Sequence, residues 1–299
     1  MVGDCARLRE ETDAEELPGT IGLAHSRSNS GGDWLWSHPF IACDDSLAYI
    51  ANGAMGYFAE RVDTSAAAQA LEAAKHEFTA VADRQIGKYP SLHGGRSVHV
   101  SDMMAHAIEA QLASGRKPED AIRQAVIDIP AEIVGLFITP ARDDGIFAAR
   151  YTMPMCVAVD AKGARIASSP TGFNPRPAWW TWVPPFSTGT VRASGLSISP
   201  LQCPHGPLSD DISRADATAA ILREIGENGP ASTGTLLGAV KGCSGRDELV
   251  ARYDPVYEVL FELLRSGAIG QTTERVPGAA EGITAPRFRF GLRGESQKP

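Results

Sequence analysis

Ile133-Val134-Gly135-Leu136-Phe137-Ile138 and Gly145-Ile146-Phe147-Ala148-Ala149-Arg150 are two apolar runs separated by a short, more polar segment. Their β-branched and aromatic residues, bounded by Pro, Gly and Asp, predict strands over 133–139 and 145–149. The segment 188–198 alternates enough to form a last strand or hairpin. Similar runs predict four further strands, over 20–25, 46–51, 155–160 and 164–167.

Apolar residues at helical spacing lie between the early strands and the late ones. The spacing predicts helices over 65–86, 101–114 and 118–128, the last with Pro118 in its first turn. Helices placed between two sets of strands favour a layered α+β domain.

Polar side chains follow two of the early predicted strands. Arg27 ends the run that begins at Gly19, and Asn52-Gly53 follows the run 47–51. A guanidinium group matches the geometry of a carboxylate, and a side-chain amide next to a backbone N–H can form a pair of donors for an oxyanion. Each signal also has a structural explanation, because Asn-Gly pairs are common turns and most Arg residues lie on the surface. The order and spacing of the segments therefore carry the interpretation.

The segments His25-Ser26-Arg27, Ser37-His38-Pro39 and Ala51-Asn52-Gly53 stand in a recognisable order. That order resembles the glutaminase domain of class II (N-terminal nucleophile) glutamine amidotransferases, most closely that of glucosamine-6-phosphate synthase. Val100-Ser101-Asp102 resembles a later family segment, and the likeness extends from about Leu17 to about Phe173. Four more segments resemble family strands: 133–138, 145–150, 154–159 and 165–169.

The resemblance implies a role for each matched residue. Arg27 would bind the α-carboxylate of glutamine, Asp102 would bind its α-ammonium group, and Asn52 and Gly53 would form the oxyanion hole. His38 would order the loop around the substrate, although a purely structural role for the His-Pro turn is an equal alternative. The implied fold is a four-layer sandwich of two antiparallel sheets between helices, of the N-terminal-nucleophile hydrolase type and N-terminally truncated.

The start of the chain departs from the family. Family members begin with a Cys whose thiolate attacks the amide and whose free amine is the base. Here the chain begins Met1-Val2-Gly3-Asp4-Cys5, and only a short acidic stretch separates Cys5 from Arg27. We therefore expect the catalytic Cys to be absent from this chain. Two explanations stay open: a start that lacks the true N-terminus, or a natural glutaminase-like domain that has lost catalysis.

Two functions follow from these alternatives. The first is hydrolysis of L-glutamine to glutamate, with ammonia passed to an acceptor on a partner such as a synthase subunit; the family's sugar-isomerase half has no counterpart here. The second is a catalytically inactive glutaminase-like protein that binds an amino acid or regulates through its C-terminal module. The sequence leaves the ammonia acceptor and the oligomeric state open.

The C-terminal part of the chain has a different character. We expect a glutaminase-like domain over 1–200, a linker over 201–213 and a compact module over 214–299. Three helices, over 215–227, 232–240 and 246–266, followed by strands over 267–273 and 287–291, resemble a winged helix. Acidic residues are interleaved with the basic ones, which favours protein docking over nucleic-acid binding.

Composition excludes several classes of protein. Of 299 residues, 43% are hydrophobic and 21% charged, as in an ordinary globular protein, and the formal net charge of -8 argues against nucleic acid or an anionic membrane as a partner. Long apolar runs and a signal-peptide pattern are both missing, so we expect a cytoplasmic protein. Five unpaired cysteines and scattered histidines predict reduced thiols, with neither a metal nor a cofactor.

Overall fold

The computed structural model describes residues 10, 13, 16–26, 36–173, 177–202, 212–242, 253–277 and 284–293. The chain forms two compact units. The larger unit comprises Leu17–Ser168 and Pro175–Gly206, and the smaller one comprises Met1–Glu16, Ser169–Asn174 and Pro207–Pro299.

The larger unit contains helices and antiparallel strands. Its helices are α1 (Thr64–Ala73), α2 (Val100–Ala113) and α3 (Pro118–Asp128). Its strands are β1 (Phe40–Ile41), β2 (Ala48–Ala54), β3 (Val81–Ala82), β4 (Ser97–Val98), β5 (Glu132–Thr139), β6 (Arg142–Arg150), β7 (Cys156–Asp160), β8 (Gly163–Ala167), β9 (Thr181–Trp182), β10 (Ser187–Arg192) and β11 (Gly195–Pro200).

Six of these strands form one antiparallel sheet in the order β1-β2-β5-β6-β10-β11. A smaller sheet has the order β8-β7-β9, and β3 pairs with β4. Helix α2 packs against β1 and β2, and α3 packs against β6 and β10. The smaller sheet adds to a core formed by residues of both sheets and by two residues that flank its strands: Val134, Ala148, Met155, Val157, Val183 and Val191. The larger unit is thus a mixed α/β fold with antiparallel sheets, and its four-layer arrangement stays a prediction.

Most sequence-predicted elements of this unit are confirmed within a few residues, and two are wrong. Residues 20–25 have no regular structure, although their sequence is apolar. A strand needs a neighbour for its backbone hydrogen bonds, and the described residues provide none for this segment.

The long helix predicted over 65–86 ends at Ala73. Lys75 adopts a left-handed conformation with φ of 73°, and the His76 N–H donates to the Leu71 carbonyl oxygen. A residue in this conformation just after a helix closes its last turn and redirects the chain. The residues beyond it therefore form a loop and β3, and His76 lies outside the helix.

The smaller unit contains α4 (Arg214–Asn228), β12 (Ala231–Ser232), α5 (Thr233–Gly242), α6 (Tyr253–Ser266), β13 (Ile269–Pro277) and β14 (Thr284–Leu292). Its sheet has the antiparallel order β12-β14-β13. Buried residues of every helix and strand form its core, among them Ile221, Leu236, Val256 and Phe290. The predicted order of three helices and a hairpin is confirmed, except that 246–252 of the third predicted helix lie outside the described residues.

Among the described helices, none combines the length and the apolar character that a membrane span requires.

Candidate functional site

The predicted oxyanion pair lies at the exposed end of β2. Tyr49, Ile50 and Ala51 are buried, whereas Asn52 and Gly53 are exposed and pair with Val134 and Ile133 of β5. Because both residues lie within the strand, the alternative that Asn-Gly forms a hairpin turn is wrong. Gly53 has φ of 127°, a conformation that residues with a side chain rarely adopt.

A sharp restriction on side-chain size accompanies this geometry. A Cβ added to Gly53 would overlap the Glu132 carbonyl oxygen, and one added to Gly56 would overlap the Glu132 carboxylate. The backbone that follows Asn52 is therefore held between the main chain and the side chain of Glu132. The carboxylate also places an acidic group close to the backbone just after the amide pair. Glu132 has no motif in the sequence that marks it as a site residue; the one signal is a charged residue at the start of an apolar strand.

His38 lies in a cluster of aromatic rings. Its ring centroid is 4.0 Å from that of His25, 4.9 Å from Phe40 and 5.8 Å from His99. The His38-Pro39 peptide bond is cis. These contacts support the structural alternative for the His-Pro turn, and a substrate-ordering role for His38 stays a prediction.

Asp102 is fully buried in the first turn of α2. Its Oδ2 accepts hydrogen bonds from the Thr79 N–H at 2.7 Å and the Ala80 N–H at 2.6 Å. Its Oδ1 lies 3.3 Å from Nε2 of His106. Backbone donors thus occupy Oδ2, and Oδ1 lies against the His106 ring in a carboxylate that solvent does not reach. Binding of the substrate ammonium by Asp102 stays a prediction.

Arg27 and Cys5 lie outside the described residues.

A second group of chemically active side chains lies in the same unit. One potential ligand atom from each of Cys43, His76, His106 and Glu109 lies within 4.8 Å of all the others. These residues are far apart along the chain, so the sequence alone predicts no metal site. His106 and Glu109, three residues apart on α2, are the one local signal of a common site.

Two buried carboxylates determine the electrostatics of the cluster: Glu109, which belongs to it, and Asp102, which lies beside it. Burial alone would lower the pKa of His106, but Asp102 and Glu109 outweigh this effect and hold its pKa above the ordinary value. Burial raises the pKa of the Cys43 thiol, and a hydrogen bond from the Glu77 N–H opposes the increase. His106 is therefore held between two acidic groups, next to a thiol.

Solved structures similar to the chain include three proteins. A glutamine aminotransferase class-II domain protein from Silicibacter pomeroyi is 17% identical, with a TM-score of 0.39, and the match covers 56% of this chain and 71% of that one. Glutamine phosphoribosylpyrophosphate amidotransferase from B. subtilis, complexed with ADP and GMP, is 15% identical, with a TM-score of 0.45 and coverage of 75% and 49%. A structure described as the allosteric regulatory enzyme of purine biosynthesis is 16% identical, with a TM-score of 0.42 and coverage of 66% and 42%.

No protein-family model and no curated protein sequence matches the chain. Among the three, the Silicibacter pomeroyi protein carries class II in its description. The chain spans about half or less of the second and third of these structures.

Proposed function

We propose that the larger unit is a glutaminase-type domain of the class II glutamine amidotransferases and that it binds L-glutamine at the end of β2. The observation that carries the proposal is the exposed Asn52-Gly53 pair, whose glycine conformation and contact with Glu132 leave no space for a side chain. Donors fixed in this way can stabilise a developing oxyanion without reorganising.

In the active form, a Cys thiolate attacks the amide carbon of glutamine and forms a tetrahedral oxyanion. Asn52 and Gly53 donate hydrogen bonds to that oxyanion. The C–N bond then breaks, and the amide nitrogen takes the proton that the N-terminal amine removed from the thiol and leaves as ammonia. Water hydrolyses the remaining thioester to glutamate and restores the thiol. Arg27 binds the α-carboxylate as a bidentate partner. Ammonia then passes to an acceptor on a partner protein. The nucleophile is the N-terminal Cys that the family resemblance requires.

One observation favours the non-catalytic alternative. Both oxygens of Asp102 face protein groups, namely the Thr79 and Ala80 N–H groups and the His106 ring. A domain in which this carboxylate has a structural role would bind an amino acid weakly or differently, and would act as a sensor. We propose this second function in combination with the smaller unit.

The smaller unit is proposed to be a winged helix used for protein docking. Its order of helix, short strand, two helices and hairpin supports this assignment. Several of its basic side chains are paired with acidic ones. Arg289 lies 2.9 Å from Glu274, and Arg214 lies 2.9 Å from Glu262. Paired guanidinium groups are less available to phosphates, which supports docking to protein over nucleic acid.

Titration calorimetry of the full chain with L-glutamine tests the binding proposal. We expect saturable binding of L-glutamine, none of D-glutamine, and loss of binding in Arg27→Ala. Arg84→Ala removes an exposed guanidinium elsewhere in the unit and is the matched control, with unchanged affinity expected. Equal heats for both enantiomers, or equal behaviour of the two variants, would overturn the proposed site.

Ammonia release then separates the two functions. The protein extended upstream to an N-terminal Cys, where such sequence exists, is expected to release ammonia from glutamine. Asn52→Ala should reduce kcat by roughly 100- to 1000-fold, because one oxyanion donor is lost. Binding without ammonia release from the extended protein would favour the sensor.

A further inference from the structure

The cluster of Cys43, His76, His106 and Glu109 has no role in the proposed glutamine chemistry, although His106 also contacts Asp102. We propose that these four side chains bind one divalent transition-metal ion and that the donor set is best suited to Zn²⁺. A thiolate, two imidazoles and a carboxylate are all common zinc ligands, and four protein ligands are typical of a structural zinc site.

The distances between the ligand atoms are close to those of a tetrahedral site. Cys43 Sγ lies 3.7 Å from His106 Nδ1. Zinc bonds of about 2.3 Å to sulfur and about 2.0 Å to nitrogen place such ligands roughly 3.5 Å apart. Glu109 Oε2 lies 2.7 Å from His76 Nδ1 and 2.8 Å from His106 Nδ1. These pairs need to separate only to roughly 3.3 Å to receive the ion.

Three local features position the four ligands. Cys43 lies in the turn between β1 and β2, which is closed by a hydrogen bond from the Ala42 N–H to the Leu47 carbonyl oxygen. His76 follows the left-handed Lys75 that ends α1. His106 and Glu109 share one face of α2, at the i, i+3 spacing. The site would therefore tie the turn and the end of α1 to α2.

Contacts around the ligands match those that orient metal ligands in proteins. The Glu77 N–H donates to Cys43 Sγ at 3.2 Å, which stabilises a thiolate. With Nδ1 of His106 on the metal, its Nε2 carries the proton and faces Asp102 Oδ1 at 3.3 Å. Asp102 is itself fixed by two backbone N–H groups. Such carboxylate–histidine–metal arrangements fix the tautomer and the ring orientation of the ligand.

Charge balance points in the same direction. A thiolate and the Glu109 carboxylate neutralise a divalent ion, and the imidazoles bind in their neutral form. Without an ion, Nε2 of His106 faces Asp102 and Nδ1 faces Glu109. A neutral imidazole has one proton, so one of its two nitrogens would then lie unprotonated beside a carboxylate. The competing explanation is a metal-free imidazolium between the two carboxylates. Asp44, beside Cys43, and Glu77, which follows His76, are the neighbouring acidic groups.

The test uses the full chain, stripped of metal with a chelator and titrated with Zn²⁺ or Co²⁺ alone. We expect one equivalent of Zn²⁺ to bind and to raise the melting temperature. Co²⁺ should give the intense visible bands of a tetrahedral site together with a thiolate-to-metal charge-transfer band. Absence of a melting shift and of both Co²⁺ features would overturn the proposal in favour of the metal-free imidazolium.

The variants identify the ligands. Cys43 lies on an exposed turn, so Cys43→Ser should leave the fold intact and remove the charge-transfer band. Loss of a group that only hydrogen-bonds to a metal ligand lowers metal affinity by roughly 10- to 100-fold. Because His76 would itself bind the ion, His76→Asn should weaken Zn²⁺ affinity by more than this. His93→Asn is the matched control, since the exposed His93 also pairs with a carboxylate, that of Glu72 at 2.6 Å. A charge-transfer band that persists in Cys43→Ser, or equal loss of affinity in the two His variants, would contradict the assignment.

Discussion

The carbonyl oxygen of Glu132 lies so close to the Cα of Gly53 that the Cβ of any other residue at position 53 would overlap it. The contact joins the end of β2 to the start of β5, at the place where Asn52 becomes exposed. Glycine at this position is thus a requirement of backbone geometry, whatever the substrate. The same geometry fixes the orientation of the Gly53 peptide, directly after Asn52.

Gly53→Ala is predicted to destabilise the protein by roughly 3 kcal/mol or more, because strain from a positive φ adds to the clash with Glu132. Urea unfolding measures the change. Gly195→Ala is the control, since Gly195 also has a positive φ, 147°, but an added Cβ would have nothing within 4 Å. Its loss of stability should be clearly smaller. Equal losses for the two variants would show that the contact with Glu132 is unimportant.

Tyr49→Phe is predicted to stabilise the protein by about 1 kcal/mol. Tyr49 is fully buried, and its hydroxyl has no hydrogen-bond partner among the described residues. Burial also raises the pKa of this hydroxyl. Tyr151→Phe is the matched control, because the Tyr151 hydroxyl donates to the Val126 carbonyl oxygen at 2.9 Å. We expect Tyr151→Phe to destabilise the protein in the same unfolding measurement, and the same sign for both variants would contradict this explanation.

Lys75→Gly is predicted to raise the free energy of unfolding by about 0.5 to 1 kcal/mol. Lys75 has φ of 73°, and glycine adopts this conformation without the cost that a Cβ imposes. Lys75→Ala keeps the Cβ and should leave stability nearly unchanged. Thermal unfolding of the two variants measures the difference. A loss of stability in Lys75→Gly would indicate that the lysine side chain, and not the backbone conformation, matters at this position.

Asp144→Asn is predicted to lower the melting temperature at neutral pH and to have no effect in strong acid. Hydrogen bonds from Arg142 and Arg192 hold the pKa of Asp144 well below its ordinary value of 3.8. A carboxyl with a lowered pKa in the folded state contributes stability above its unfolded pKa, and loses it as the pH falls through the folded pKa. The test is the melting temperature of the unmodified protein and of Asp144→Asn, measured from neutral pH to strong acid. Asp143→Asn is the control, because it also removes one negative charge. A melting-temperature difference between Asp144→Asn and the unmodified protein that grows in acid would contradict this prediction.

The apolar strands could be predicted from sequence because their pattern depends on local residue types. The runs 133–139 and 145–149 are rich in β-branched and aromatic residues, and both are strands in the structure. The short strand β12 could not be predicted, since two residues carry no periodicity and become a strand only by pairing with β14. The end of α1 was missed because Lys rarely adopts a left-handed conformation.

The candidate sites likewise include one that depends on a continuous sequence motif and one that depends on contacts formed only in the fold. A role for Asn52 and Gly53 could be predicted from sequence because their motif is continuous and follows an apolar run, and that role stays a prediction. The metal-binding cluster was missed because the fold alone brings Cys43 close to His106, 63 positions away, and His76 close to Glu109, 33 positions away. Asp102 was identified as a site residue, but the sequence could not show that its carboxylate faces the Thr79 and Ala80 N–H groups.

The central claim is that the Gly53 N–H and the Asn52 side-chain amide face bound glutamine. The most direct measurement is the set of backbone and side-chain amide NMR resonances of the ¹⁵N-labelled chain during titration with L-glutamine. The account predicts saturable shifts of the Gly53 amide and the Asn52 side-chain amide, with the amide of Gly195, at the start of β11, unchanged. Saturable binding that leaves both resonances in place, or that shifts Gly195 equally, would contradict it.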